Sequence, residues 1–350
     1  MKRTLTIVGT VLTVATVLTA GPSANAAFPG TNGDIVFSRL THGQNDLWLV
    51  DPDTAAMTRL THSTHFNEGL ADWNAEGTRI AFSRCALSEL GNCDIWVMDA
   101  DGNNATRLTP PDHIETWPAW SPDGTKIAFT TDESDAFQDI WVMHADGSNP
   151  MQLTTTNGSF DAFPEWSPDG TKIAFTSDRD AADDIWVMDP DGSDPVRLTT
   201  GNKVDERPDW TPDGSTITFS RNGKDIWAMD ADGSNLTRLT DSKRIEFGPV
   251  YSPDGSMIAF DREGPTDRSA CGSCPPTVPR RPGSRPAGST SSPTGSLNPL
   301  VRGLEWGSRQ VLQRCDSVES CGHVTHSVAR FGGCFFLGGP DRRVQITWRS

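Results

Sequence analysis

Beyond residue 20 the sequence has no apolar run that could span a bilayer, and from Ala27 to Asp261 it has few basic residues, 16 against 40 acidic ones. The first lack leaves no membrane span once the N-terminal segment is removed. The second argues against nucleic acid as a partner, because phosphate binding needs positive charge to replace counterions. No nucleophile is paired with a base, no glycine-rich phosphate loop occurs and no hydrolase domain can be recognised, so catalysis is not the first expectation. Cysteine is also sparse: of seven, only Cys85 and Cys93 precede residue 262.

What is present begins with a leader. Lys2 and Arg3 precede the apolar run LTIVGTVLTVATVLTA and then GPSANA, whose Ala-Asn-Ala ending predicts a cut after Ala26. Residues 1–26 therefore read as a secretory signal peptide. The run is short and holds threonines and a glycine, which disfavours a membrane anchor. The mature chain is expected from Ala27, secreted or held in a periplasmic or other cell-envelope space where disulfides form.

The body, residues 27–261, is a repeat. Trp73, Trp120, Trp166, Trp210 and Tyr251 each open a unit, four of them followed by Ser or Thr and then Pro-Asp-Gly, the first by Asn-Ala-Glu-Gly. A short alternating run such as Ile127-Ala128-Phe129 comes next. Asp-Ile-Trp-Val-Met or a close variant then starts at Asp46, Asp94, Asp139, Asp184 and Asp225, and Leu-Thr closes the unit at Leu60, Leu108, Leu153, Leu198 and Leu239. Period-two alternation of β-formers between Asp/Gly turns predicts four strands per unit. The step from opening aromatic to strand-two Ile is 7 residues in all five units, and from strand-three Trp to closing Leu it is 12. From strand-two Phe to strand-three Asp it varies between 6 and 12. One face of the ring should be fixed turns and the other variable loops.

This series resembles the propeller repeats of the TolB family, which implies an all-β, six-bladed β-propeller of four-stranded blades over residues 33–261. The resemblance is to the propeller alone: TolB members carry an α/β domain before it, and there is no room for one between Ala27 and Gly33. It implies a binding scaffold more than an enzyme, although related propellers belong to hydrolases.

Residues 262–350 are of another kind, with 12 Arg, no Lys and 6 acids. The Pro/Arg/Ser/Gly bias is that of a GC-rich gene read out of frame. Shifting the codon phase permits Val-Met-Pro-Ala-Asp-Gly from Gly272–Val278 and Asp-Val-Val-Ala-Asp-Trp-Gln-Pro from Ser289–Leu297, the missing parts of the repeat. The expectation is a frameshift between Asp261 and Cys271 that costs the last blade and ring closure; the alternative is a genuine Pro/Ser-rich linker with a small Cys-containing module. Cys271, Cys274, His323 and His326 lie in this tail and carry no site here.

Five residues before each opening aromatic stands an acid: Glu68, Glu115, Asp161, Asp205 and Glu246. They are expected to ring the channel mouth and either bind a ligand or staple the blades. No cofactor is expected, apart from a cation such as calcium that such a ring could hold. The Asp-x-Asp-Gly turns (Asp99 and Asp101, Asp189 and Asp191, Asp230 and Asp232) lack the later ligands of a calcium loop. His62, His65 and His113 are candidates for a metal site with Glu68 or Glu115, the basis of an alternative reading as a metal-assisted lyase or hydrolase. Cys85 and Cys93 bracket the longest variable loop and should pair. Trp117, three residues before Trp120, falls outside the pattern and is either partner-facing or extra packing. The partner expected is a protein or cell-envelope ligand with a basic contacting group, bound by a monomer.

Overall fold

A computed structural model describes residues 30–263 apart from 31, 42, 88–91, 133–137 and 156–157, and beyond them three strands, 269–274, 303–304 and 346–348. The expected leader and most of the tail lie outside the described residues. The alternating segments form six four-stranded antiparallel sheets, with no helix among the described residues. Blade two runs Phe66–Trp73, Arg79–Ala86, Cys93–Asp99 and Thr106–Arg107, and blades three, four and five repeat it from Glu115, Asp161 and Asp205. The order within each follows the chain, inner strand to outer strand.

The repeated residues turn out to be joints. Within a blade, the N–H of Leu47, Ile95, Ile140, Ile185 and Ile226 donates to the hydroxyl of the Thr in the closing Leu-Thr at 2.9–3.0 Å. In four blades the strand-three Asp receives the outer-strand Arg, as in Asp46–Arg59 at 2.8 Å and Asp225–Arg238 at 2.8 Å, and in blade three Gln152 donates to Asp139 at 3.0 Å. Between blades, the glycine of the Asp-Gly turn that joins strands three and four, in blades two to five, lies on the closing Leu of the preceding blade. A Cβ on Gly192 would come within 2.5 Å of the Leu153 carbonyl oxygen, and its φ of +85° also favours glycine. Hydrophobic clusters span neighbouring blades too: Ala128, Ile140 and Val142 of blade three pack with Trp166, Ile173 and Phe175 of blade four. These contacts give the Asp-x-Asp-Gly turns a structural reason to recur.

Copying fades after Phe260. Blade six consists of Glu246–Tyr251, Ile258–Glu263, Ser269–Cys274 and the two-residue Gly303–Leu304. In the other five blades the strand-two Phe lies opposite a Trp, as Phe175 opposes Trp186, whereas Phe260 lies opposite Gly272. Blade one, Ile35–Thr41, Gln44–Val50 and Met57–Arg59, takes its inner strand from Ile346–Trp348. Trp348 stands opposite Ile35, the register that Trp73 holds opposite Ile80. The ring that the sequence left open is thus joined by three residue pairs, because an open sheet edge accepts a short β-prone segment.

Candidate functional site

Every inner strand of blades two to six carries a β-bulge that the repeat pattern did not announce. Pairing slips between Gly69 and Asp72, Thr116 and Ala119, Ala162 and Glu165, Glu206 and Asp209, and Phe247 and Val250. At each slip one residue takes a left-handed backbone: Leu70 (φ 54°), Trp117 (55°), Phe163 (56°), Arg207 (58°) and Gly248 (62°). For a bulky side chain that conformation costs about 1–2 kcal/mol. Pro118, Pro164, Pro208 and Pro249 follow in four of the five, which suits a bulge because proline has no N–H to leave unpaired.

The bulges of blades three to six, with Asp72 of blade two, line a central cavity whose wall reaches from Trp117 and Phe163 to Pro212 in the turn after Trp210. Trp117 meets Phe163 edge-on at 4.5 Å between ring centres. Arg207 lies over both rings, 4.4 Å from Trp117 and 5.2 Å from Phe163, with Phe247 5.3 Å away. Its guanidinium is thereby held against aromatic faces.

Just before the opening aromatics, Asp72, Glu165 and Asp209 also enter this wall. The N–H of Trp120 in the next blade donates to Asp72 at 2.8 Å, and that of Tyr251 donates to Asp209 at 2.6 Å. Glu165 is arranged differently: it is partly exposed to the cavity, its backbone carbonyl accepts from the Trp210 indole at 3.3 Å, and no described residue hydrogen-bonds its carboxyl. Loss of water raises all three pKa values, that of Asp72 to about 7 and that of Asp209 to about 8. Glu165 is pushed well above the usual range, first by burial and then by the charges of Asp72 and Asp209.

The acids foreseen as a ring at the channel mouth stand at or near the start of the inner strands. Glu68, Glu115, Asp161, Asp205 and Glu246 are all 0–1% exposed. Four are paired with an Arg at or just beyond the end of strand two of their own blade: Glu68–Arg84 at 2.7 Å, Asp161–Arg179 at 2.9 Å, Asp205–Arg221 at 2.7 Å and Glu246–Arg262 at 2.8 Å. Opposite Glu115 stands Thr131. Arg84, Arg179 and Arg221 also stack on the strand-three Trp of their blades at 4.1, 4.8 and 4.7 Å. Burial raises the pKa of Glu68, opposed by hydrogen bonds and by the charge of Arg84.

His62 and His65 are exposed in the connection into blade two, and His113 is 3.9 Å from Asp132. Among the described residues no three His, Cys, Asp or Glu side chains are placed to hold a metal ion. Cys85 and Cys93 face each other across the blade-two hairpin and are joined by a disulfide. Trp117, singled out in the sequence, is 7% exposed and forms part of the cavity wall. Repeat reasoning missed Phe163, Arg207 and the Asp72, Glu165 and Asp209 set; the signal was there in what differs between units at two fixed offsets.

Residues 118–269 match the TolB beta propeller domain model. In three dimensions the chain is similar to TolB from Acinetobacter baumannii at 20% identity and TM-score 0.59, covering 71% of this chain and 62% of that one. The putative TolB of Agrobacterium tumefaciens aligns at 22% identity and TM-score 0.57, covering 70% and 85%. A puromycin-hydrolyzing peptidase of Mycobacterium tuberculosis aligns at 14% identity and TM-score 0.51, covering 69% of this chain and 43% of its own. No curated protein sequence matches. At these identities the likeness is one of fold, and the chain spans less than two thirds of the A. baumannii protein.

Proposed function

Because this chain is a TolB-like β-propeller, we propose that it is an exported, non-catalytic binding scaffold that receives a basic group of a protein or cell-envelope partner in its axial cavity. The observation that carries this is the cavity itself, where three carboxyls and two aromatic rings converge from different blades at positions the fold does not require to be alike. Residues that vary between otherwise identical units answer to a ligand more than to the ring. The acid ring of Glu68, Glu115, Asp161, Asp205 and Glu246 supports the same site from behind, by fixing where each inner strand starts. Export rests on residues 1–26, and N-terminal sequencing of the mature protein should begin at Ala27.

The residues beyond a point between Asp261 and Cys271 are read as propeller sequence written in a shifted frame. Support comes from the Phe260 to Gly272 pairing, where the backbone register is kept and the expected Trp is absent. Translating the gene in all frames tests this; a second frame without propeller sequence overturns it.

The binding reading is tested by a photo-crosslinking residue placed at Phe163, in the cavity wall, or at Met151, on the outer edge of blade three. Irradiation in the producing cell should give a discrete cross-linked partner from position 163 and none from 151. Equal labelling at both, or at neither, overturns the reading.

A further inference from the structure

The three cavity carboxyls are not equivalent. Asp72 and Asp209 are committed to the N–H groups of the following blade, and such donors favour the ionised form. Glu165 stands at the same offset in blade four with one more methylene, and no described residue donates to its carboxyl. The matching positions of blades three and six are Ala119 and Val250, which bring no donor. The charged groups facing it are Asp72 and Asp209, which repel its anion, and Arg207, whose guanidinium is stacked on Trp117 and Phe163.

An empty cavity therefore favours the neutral acid at Glu165. A cation entering beside the aromatic rings reverses this preference, since it brings to the Glu165 carboxyl a countercharge that Arg207, held against Trp117 and Phe163, does not supply. We infer that Glu165 exchanges its proton for the incoming cationic group, so that filling the channel releases a proton and binding tightens as pH rises. The step is simple in balance: the carboxylic O–H bond breaks, its electrons stay on oxygen, the proton leaves to solvent and a carboxylate–cation pair remains. The three acids titrate as a set, yet the one without a donor is where the proton is best kept. This inference rests on the binding reading above and adds its regulation.

The probe is N-acetyl-arginine amide, with N-acetyl-citrulline amide as its uncharged counterpart, added to the full-length protein at physiological salt to screen the acidic surface. Calorimetry near pH 7 in phosphate and in Tris, whose ionisation heats differ, should show a net release of protons on arginine binding. Affinity should rise by up to about tenfold per pH unit across the titration of the set, and the citrulline compound should not bind. Glu165→Gln, which resembles the protonated acid, should fold as the parent does, bind the arginine probe more weakly and lose the dependence on buffer and pH. Arginine binding with equal heats in both buffers, or proton release unchanged in Glu165→Gln, overturns the inference and leaves the binding reading standing. Failure of the arginine probe to bind at all overturns both. Carbon-13 titration of the empty protein is an independent check: a Glu165 carboxyl, identified by its loss in Glu165→Gln, that titrates in the ordinary carboxylate range overturns the inference alone.

Discussion

Two tiers of acids surround one channel and solve opposite problems. The tier five residues before the opening aromatics is present in every unit from blade two to blade six, is fully buried, and in four blades is matched by an arginine at or just beyond the end of strand two. The tier just before the aromatics is present in only three blades and repels itself across the cavity. Repetition together with neutralisation marks a part of the ring. Irregularity together with mutual repulsion marks a place kept for something else.

The largest effect expected from breaking this contrast is in the repeated tier. Asp205→Ala strands Arg221, which gives it two bonds of 2.7 Å, in a buried site, and should lower stability by about 3–5 kcal/mol, read from the denaturant midpoint. A smaller loss, about 1–3 kcal/mol, is expected for Asp209→Ala at pH 5, because the Tyr251 N–H loses its acceptor. Asp209→Asn keeps an acceptor there and should lose less. The smallest effect has the opposite sign. Glu165 has a raised folded-state pKa, so its contribution is most favourable below the unfolded value and declines as pH rises through the folded one. Glu165→Gln should match the parent near pH 4 and be the more stable of the two at pH 9, measured as the difference between two thermal or urea transitions. A Glu165→Gln variant less stable than the parent at pH 9 would erase the distinction between the tiers.

The sequence made the scaffold legible because the scaffold is what repeats. Fixed steps of 7 and 12 residues encode hairpins whose lengths cannot change without opening the ring, and the Leu-Thr and Asp-Gly signals are now seen to be contacts within and between blades. The acids of the first tier were visible for the same reason. Their arginines were not, since Arg84 and Arg221 meet Glu68 and Asp205 only once a bulge has set the register between strands one and two. The bulge itself was hidden because the residue at its crest is Leu70, Trp117, Phe163, Arg207 or Gly248, five side chains with nothing in common but their backbone. Looking for sameness finds the frame and discards the cavity.

The clasp between Ile35–Phe37 and Ile346–Trp348 has a consequence for how the ring comes apart. Three residue pairs hold the two far ends of the chain together, whereas the inner and second strands of blade two share six. Local opening runs along the path of fewest contacts, so amide exchange should begin at this seam, pass to blades one and six, and reach blades three and four last. A closed propeller has no first blade to lose; this one has a seam, and its resistance to unfolding is set there more than by the well-packed blades on the far side.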